Sequence, residues 1–186
     1  MHLRSIKSLA ALALTLAAPW ANAGMLGSLA TIGYHYESTH YTDSLLVGAG
    51  AEVTCPTGAF SMCSALIAAT QTVDVGENYL AYNFTSTTGN TSGFNDVTPS
   101  YFVFDDLQPG GDITGFTLST NIAGLDAARV SYTVNGVHVD MHGLPLGMAG
   151  SFRIELVTAG QALPEPASAA LAALALGGLA LTRRRR

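Results

Sequence analysis

The chain has 186 residues, is 48% hydrophobic and only 11% charged, and carries a formal net charge of −5. That length allows one domain of ordinary size plus processing segments, and the charged fraction is well below the roughly 25% usual in soluble domains. Six of the eight basic residues sit at the two ends, so between Gly24 and Leu163 only Arg129 and Arg153 stand against twelve carboxylates. A body carrying about −10 repels phosphate backbones, which excludes nucleic acid as a partner.

Met1 to Ala23 reads as a secretory signal peptide. Arg4 and Lys7 form its positive start, Leu9 to Ala18 its apolar stretch, and Ala21-Asn22-Ala23 a small-x-small cleavage site. The apolar stretch is too short to span a bilayer, which takes about 20 such residues. Cleavage after Ala23 makes Gly24 the first residue of the mature protein and places the body outside the cytoplasm. In that compartment Cys55 and Cys63 are expected to join in a disulfide that closes a small local loop.

From Gly24 to Leu163 the sequence alternates with a period of two and is punctuated by Gly, Asn, Asp, Pro, Ser and Thr, the pattern of strands and turns. Leu45, Val47, Ala49, Ala51 and Val53 fall on one face of an extended segment. Ala59 to Ala69 is the best helical candidate and is small and mixed. Thr70 to Val75 and Tyr79 to Phe84 flank a turn at Gly76-Glu77-Asn78. Tyr101 to Phe104 is apolar on both faces, as a central strand is, and Ile113 to Ser119 follows the turn at Pro109-Gly110-Gly111.

Asn135-Gly136 is a two-residue hairpin signal, because both positions of a type I′ turn need positive φ. Folding about it pairs Val134 with Val137, Tyr132 with Val139 and Val130 with Met141 on an apolar face. The opposite face pairs Thr133 with His138, Ser131 with Asp140 and Arg129 with His142. A last strand, Gly150 to Val157, alternates Phe152, Ile154 and Leu156 with polar residues. Eight or nine short strands without helices predict an all-β fold, a two-sheet antiparallel β-sandwich of jelly-roll or immunoglobulin-like connectivity.

The last 23 residues differ from everything before them. Pro164-Glu165-Pro166 is followed by an uncharged run from Ala167 to Thr182 and by Arg183, Arg184, Arg185 and Arg186. Sixteen residues make a helix of about 24 Å, marginal against a hydrocarbon core of about 30 Å. Such a transmembrane helix is helped by snorkelling of its arginines, which stay on the cytoplasmic side. The two prolines keep the junction extended, with its backbone accessible just outside the membrane, as a membrane-embedded processing enzyme requires.

This order of motif, short span and terminal arginines, on a chain with a signal peptide, resembles the PEP-CTERM sorting signal. Ile113 to Ser119 and Asn121 to Leu125 are also similar to stretches of small PEP-CTERM domain proteins. The resemblance implies recognition by an exosortase, cleavage near Pro164-Glu165-Pro166, and export to the surface or extracellular matrix of a Gram-negative bacterium that makes exopolysaccharide. On this reading the membrane is a transient partner, through residues 167–182. The family lends no catalytic residues and no cofactor.

Within the body, His138, Asp140 and His142 lie at i, i+2 and i+4, an arrangement that suits metal ligation. Residues two apart on a strand are about 6.5–7 Å apart, wide for one coordination shell, which favours a solvated face. Asp105, Asp106 and Asp112 make an oxygen-rich loop that lacks the spacing of a calcium loop and reads as a turn. Tyr34, Tyr36 and Tyr41, beside His35 and His40, are candidate glycan contacts, although tyrosines are also common strand residues. Ser61 and Ser64 have no nucleophile context. The expectation is a non-enzymatic, exported surface or matrix protein with a structural or interaction role. A carbohydrate-binding module is the alternative, and a secreted hydrolase stands behind both.

Overall fold

The computed structural model describes residues 24–67, 70–86, 89, 92–94 and 98–159. The signal peptide, the Pro164-Glu165-Pro166 motif, the span 167–182 and the arginine cluster all lie outside the described residues. Among the described residues no helix is long and apolar enough to cross a membrane.

Alternating apolar residues produce strands in chain order: β1 (Leu29–Tyr36), β2 (Thr39–Leu46), β3 (Val53–Cys55), β4 (Thr70–Val75), β5 (Tyr79–Thr85), β6 (Ser92–Gly93), β7 (Ser100–Asp105), β8 (Ile113–Thr120), β9 (Val130–Tyr132), β10 (Val137–Asp140), β11 (Pro145–Gly147) and β12 (Ala149–Thr158). They form two five-stranded antiparallel sheets, ordered β2-β1-β7-β10-β9 and β3-β4-β5-β12-β8, with β11 and β6 as a small ribbon. The fold is therefore an antiparallel β-sandwich.

The two sheets meet through aromatic rings. Phe102 of the first sheet lies 4.8 Å from Tyr82 and 5.9 Å from Phe152 of the second, centroid to centroid, and all three are buried. Ile32, Phe104, Val137 and Val139 extend this core on one side, and Val73, Leu80 and Ile154 on the other. β7 is buried on both faces, with Phe102, Val103 and Phe104 all nearly inaccessible. That is what its unbroken apolar sequence requires, and it sits in the middle of its sheet.

The turn at Gly76-Glu77-Asn78 joins β4 to β5, with the Gly76 N–H donating to the Tyr79 carbonyl at 2.9 Å. Gly76 is also sterically required: a Cβ there would lie 1.9 Å from the Tyr79 ring. Cys55 and Cys63 form a disulfide with a Cα–Cα distance of 5.0 Å.

Two expectations are corrected. Leu45 to Val53 is not one extended segment: β2 stops at Leu46, Val47 and Val53 are buried, and Ala49 and Ala51 are exposed in a loop. The Glu52 carboxylate holds that loop, accepting the N–H of Gly48 at 2.8 Å and of Val75 at 2.6 Å.

The hairpin about Asn135-Gly136 is shifted by two residues, pairing Val137 with Tyr132, His138 with Ser131 and Val139 with Val130. Its connection is the four residues from Thr133 to Gly136, closed by a Thr133 N–H to Gly136 carbonyl bond of 2.9 Å, and neither Asn135 nor Gly136 has positive φ. The neighbouring loop decides this, because the carbonyls of Asn135 and Val134 accept the N–H groups of Leu107 and Ile113. A shift of two keeps Val130, Tyr132, Val137 and Val139 on one face of the hairpin and Ser131 and His138 on the other, whereas Val134 falls in the connection and is exposed. Residues 59–69, the helical candidate, contain only a single 3-10 turn at Ser61–Ser64 among their described positions.

Candidate functional site

The solvent face of the first sheet carries a row of rings across four strands. The turn at Glu37-Ser38 places His40 of β2 opposite His35 of β1, and their imidazoles stack at 3.9 Å with 4° between planes. His35 Nδ1 and the Tyr101 hydroxyl of β7 share a 2.7 Å hydrogen bond. Tyr101 in turn stacks on His138 of β10, at 5.5 Å and 25°. His138 Nε2 lies 3.3 Å from Asp105 Oδ1, which fixes the far end of the row. With neighbouring strands about 4.8 Å apart, four rings cover about 14 Å of surface.

Polar groups flank the rings. Arg129 Nη1 donates to the His142 carbonyl at 2.9 Å and lies 3.4 Å from Asp140 Oδ2. Asp140 Oδ1 accepts the His142 N–H at 3.0 Å. Tyr101, Arg129, Ser131, His138 and Asp140 line an open depression of about 290 Å³. Burial, and then the neighbouring His40 and His138, hold the His35 pKa below its ordinary value against the opposing pull of Asp105. A neutral His35 leaves the ring row able to offer both donors and acceptors.

Tyr34, Tyr36 and Tyr41 face the opposite way, toward the sandwich interior. Tyr34 is only 3% exposed. Its hydroxyl bonds Ser100 Oγ at 2.6 Å, and burial pushes its pKa up to about 12. Phe102 at 5.1 Å and Phe94 at 5.7 Å pack against its ring. Tyr36 and Tyr41 are half-buried and, with Tyr34, line a cavity of about 370 Å³ at one end of the sandwich, beside Ile67, Gln71 and Phe94. Gln71 is itself buried and accepts the Tyr82 hydroxyl at 2.6 Å.

The remaining candidates are dispersed. His142 lies in the turn beyond the end of β10, so His138, Asp140 and His142 do not share a strand face. Asp105 serves His138, Asp106 accepts the Thr31 hydroxyl at 2.7 Å, and the Asp112 carbonyl accepts the Ala159 N–H. Among the described residues no three His, Cys, Asp or Glu side chains gather as a metal-ligand set. Ser61 fastens its 3-10 turn to β2, with its N–H and hydroxyl both on Asp43 Oδ2.

Sequence reasoning noticed His35, His40 and His138 but not that they share a surface with Tyr101. One local signal was readable. Tyr34-His35-Tyr36-Glu37-Ser38-Thr39-His40-Tyr41 is nearly a mirror about Glu37-Ser38, and a hairpin there pairs tyrosine with tyrosine and histidine with histidine. The pairing of β1 with β7 and of β7 with β10 is long-range, and nothing local announces it. Compared with known proteins, the chain matches no family model, no curated protein and no solved structure.

Proposed function

We propose that this chain is an exported surface or matrix protein of a Gram-negative bacterium, delivered by an exosortase that cuts near Pro164-Glu165-Pro166, and that it acts by binding rather than by chemistry. The observation that carries this reading is the tripartite tail, residues 164–186, on an acidic sandwich clipped by the Cys55–Cys63 disulfide. Disulfides persist in oxidising compartments, which agrees with a body outside the cytoplasm. Arg183 to Arg186 retain the tail in the membrane until it is cut, and the span 167–182 is a temporary anchor. Deleting residues 164–186 and fractionating the cells tests the sorting. The truncated protein is expected to be lost from the surface and matrix fractions, and undiminished delivery there would reject the reading.

A second reading is favoured by the ring row on the first sheet: the body is a carbohydrate-binding module for the exopolysaccharide around it. His35 and His40 cover each other's faces, as do Tyr101 and His138, so the row meets sugar hydroxyls with its ring nitrogens and the Tyr101 hydroxyl, beside the donors and acceptors of Arg129, Ser131 and Asp140. Electrophoresis of the exported protein through gels containing exopolysaccharide separates the two aromatic sites. Tyr101→Ala should abolish retardation and Tyr36→Ala should leave it. Retardation unchanged by Tyr101→Ala would remove the row as the binding face.

A further inference from the structure

The histidine pair at the β2 end of the ring row is held from several sides. His35 and His40 are direct partners in the register of β1 with β2. Only Glu37 and Ser38 separate the two strands, and Glu37 takes a positive φ of 53° to close the hairpin. The Glu37 N–H donates to the Pro99 carbonyl at 2.9 Å, which ties the hairpin end to the chain just before β7. On this short, fixed hairpin the two imidazoles lie face to face, 3.9 Å apart with 4° between planes.

That spacing is close to what a shared metal ion needs. Imidazole nitrogens bind at about 2.0–2.1 Å, so two of them at a right angle on one ion lie about 3 Å apart. The rings are within about 1 Å of that separation, and His40 is exposed, so tilting its ring toward His35 closes the gap. His35 is oriented from its other side by the 2.7 Å hydrogen bond between Nδ1 and the Tyr101 hydroxyl. When Nδ1–H donates to that oxygen, the lone pair of Nε2 is left free. Metal-bound histidines ordinarily have this arrangement, one nitrogen on the ion and the other donating to an oxygen.

We propose that His35 and His40 form a two-histidine site for a divalent transition-metal ion, with Tyr101 positioning His35 and the remaining coordination positions open to solvent. Imidazole suits Cu²⁺, Ni²⁺ and Zn²⁺ rather than the oxygen-seeking Ca²⁺ and Mg²⁺, and Cu²⁺ stands highest in the affinity order. The body draws cations to its surface, because only Arg129 and Arg153 stand against its twelve carboxylates. Cys55 and Cys63 are joined to each other, so no thiolate among the described residues competes for the ion. The site depends on neither reading of function above: it needs neither the tail nor a glycan.

An acidic surface also collects free Cu²⁺ on its carboxylates, so the probe is Cu²⁺–iminodiacetate, whose chelator leaves open positions on the ion for imidazole. Calorimetric titration of the full chain in a non-ionic detergent at neutral pH gives the affinity. The wild type should bind at least about tenfold tighter than His35→Gln or His40→Gln, because its second nitrogen binds intramolecularly. His142→Gln should bind as the wild type does, and pulsed electron paramagnetic resonance of the wild-type complex should show two imidazoles on the copper. A cooperative thermal transition without copper shows that each variant is folded. No binding by the wild type, equal affinity in His40→Gln, an equal loss in His142→Gln, or displacement of the probe by excess Ca²⁺ would each overturn the proposal.

Discussion

Reducing the Cys55–Cys63 bond should lower stability by an amount set by the loop it closes. The two cysteines are separated by eight positions. In the chain-entropy account, closing so small a loop removes about 2.6 kcal/mol of denatured-state freedom at 25 °C. At about 2.1 cal/mol/K per residue, unfolding residues 24–159 carries an entropy near 0.29 kcal/mol/K, so the expected drop in Tm is about 9 °C. The native state should keep its shape, because Ser61 remains fastened to Asp43 and the Gly58 N–H to the Thr54 carbonyl. Cys55 and Cys63 are both buried, so alanine is the right replacement: serine would bury two hydroxyls. The assay is thermal unfolding followed by circular dichroism, with and without reductant, on the purified protein and on Cys55→Ala/Cys63→Ala. Reductant and double substitution should give similar shifts, and reductant should not move the double variant. A shift below about 3 °C would refute the loop-entropy reasoning, and two titratable thiols in the untreated protein would refute the bond itself.

Three further outcomes follow from the geometry. Phe102→Ala removes the ring around which Tyr34, Tyr82 and Phe152 pack, and should cost about 3–5 kcal/mol in urea denaturation; a loss under about 1 kcal/mol would mean that the sheets do not meet there. Gly76→Ala drives a Cβ into the Tyr79 ring and disturbs the Arg153 guanidinium lying 3.4 Å above it. That should cost about 1–3 kcal/mol in the same assay. For His35 the folded-state pKa lies below the unfolded value, so the unfolded chain binds the extra proton first. Stability from this group is complete above the ordinary histidine pKa of about 6.5 and falls as the pH drops from there through the folded value. Thermal midpoints measured from pH 8 to pH 5 should show that decline, and His35→Gln should flatten it.

Much of the body was legible in the sequence because its strands are amphipathic and its turns carry glycine. β4 and β5 about Gly76, β7 as a doubly buried strand, and β12 with Phe152, Ile154 and Leu156 inward all follow from local pattern. The errors lie where a contact distant in sequence overrules a local preference. Asn135-Gly136 favours a tight turn, but the loop carrying Leu107 and Ile113 takes its carbonyls and lengthens it. Ala49 and Ala51 continue an alternation that Glu52 breaks by binding two N–H groups. Tyr34, Tyr36 and Tyr41 alternate with His35 and His40, and only the sheet's place in the sandwich decides which set faces solvent. Once β1 packs inward through Ile32 and Tyr34, the histidines turn outward and meet Tyr101.

The most direct test of the account is the intact mass of the protein recovered from the extracellular matrix fraction. A chain that begins at Gly24 and ends within or beside Pro164-Glu165-Pro166, lacking both hydrophobic ends and holding no free thiol, is the expected result. A mass matching all residues from Met1 to Arg186, found only inside the cell, would contradict it.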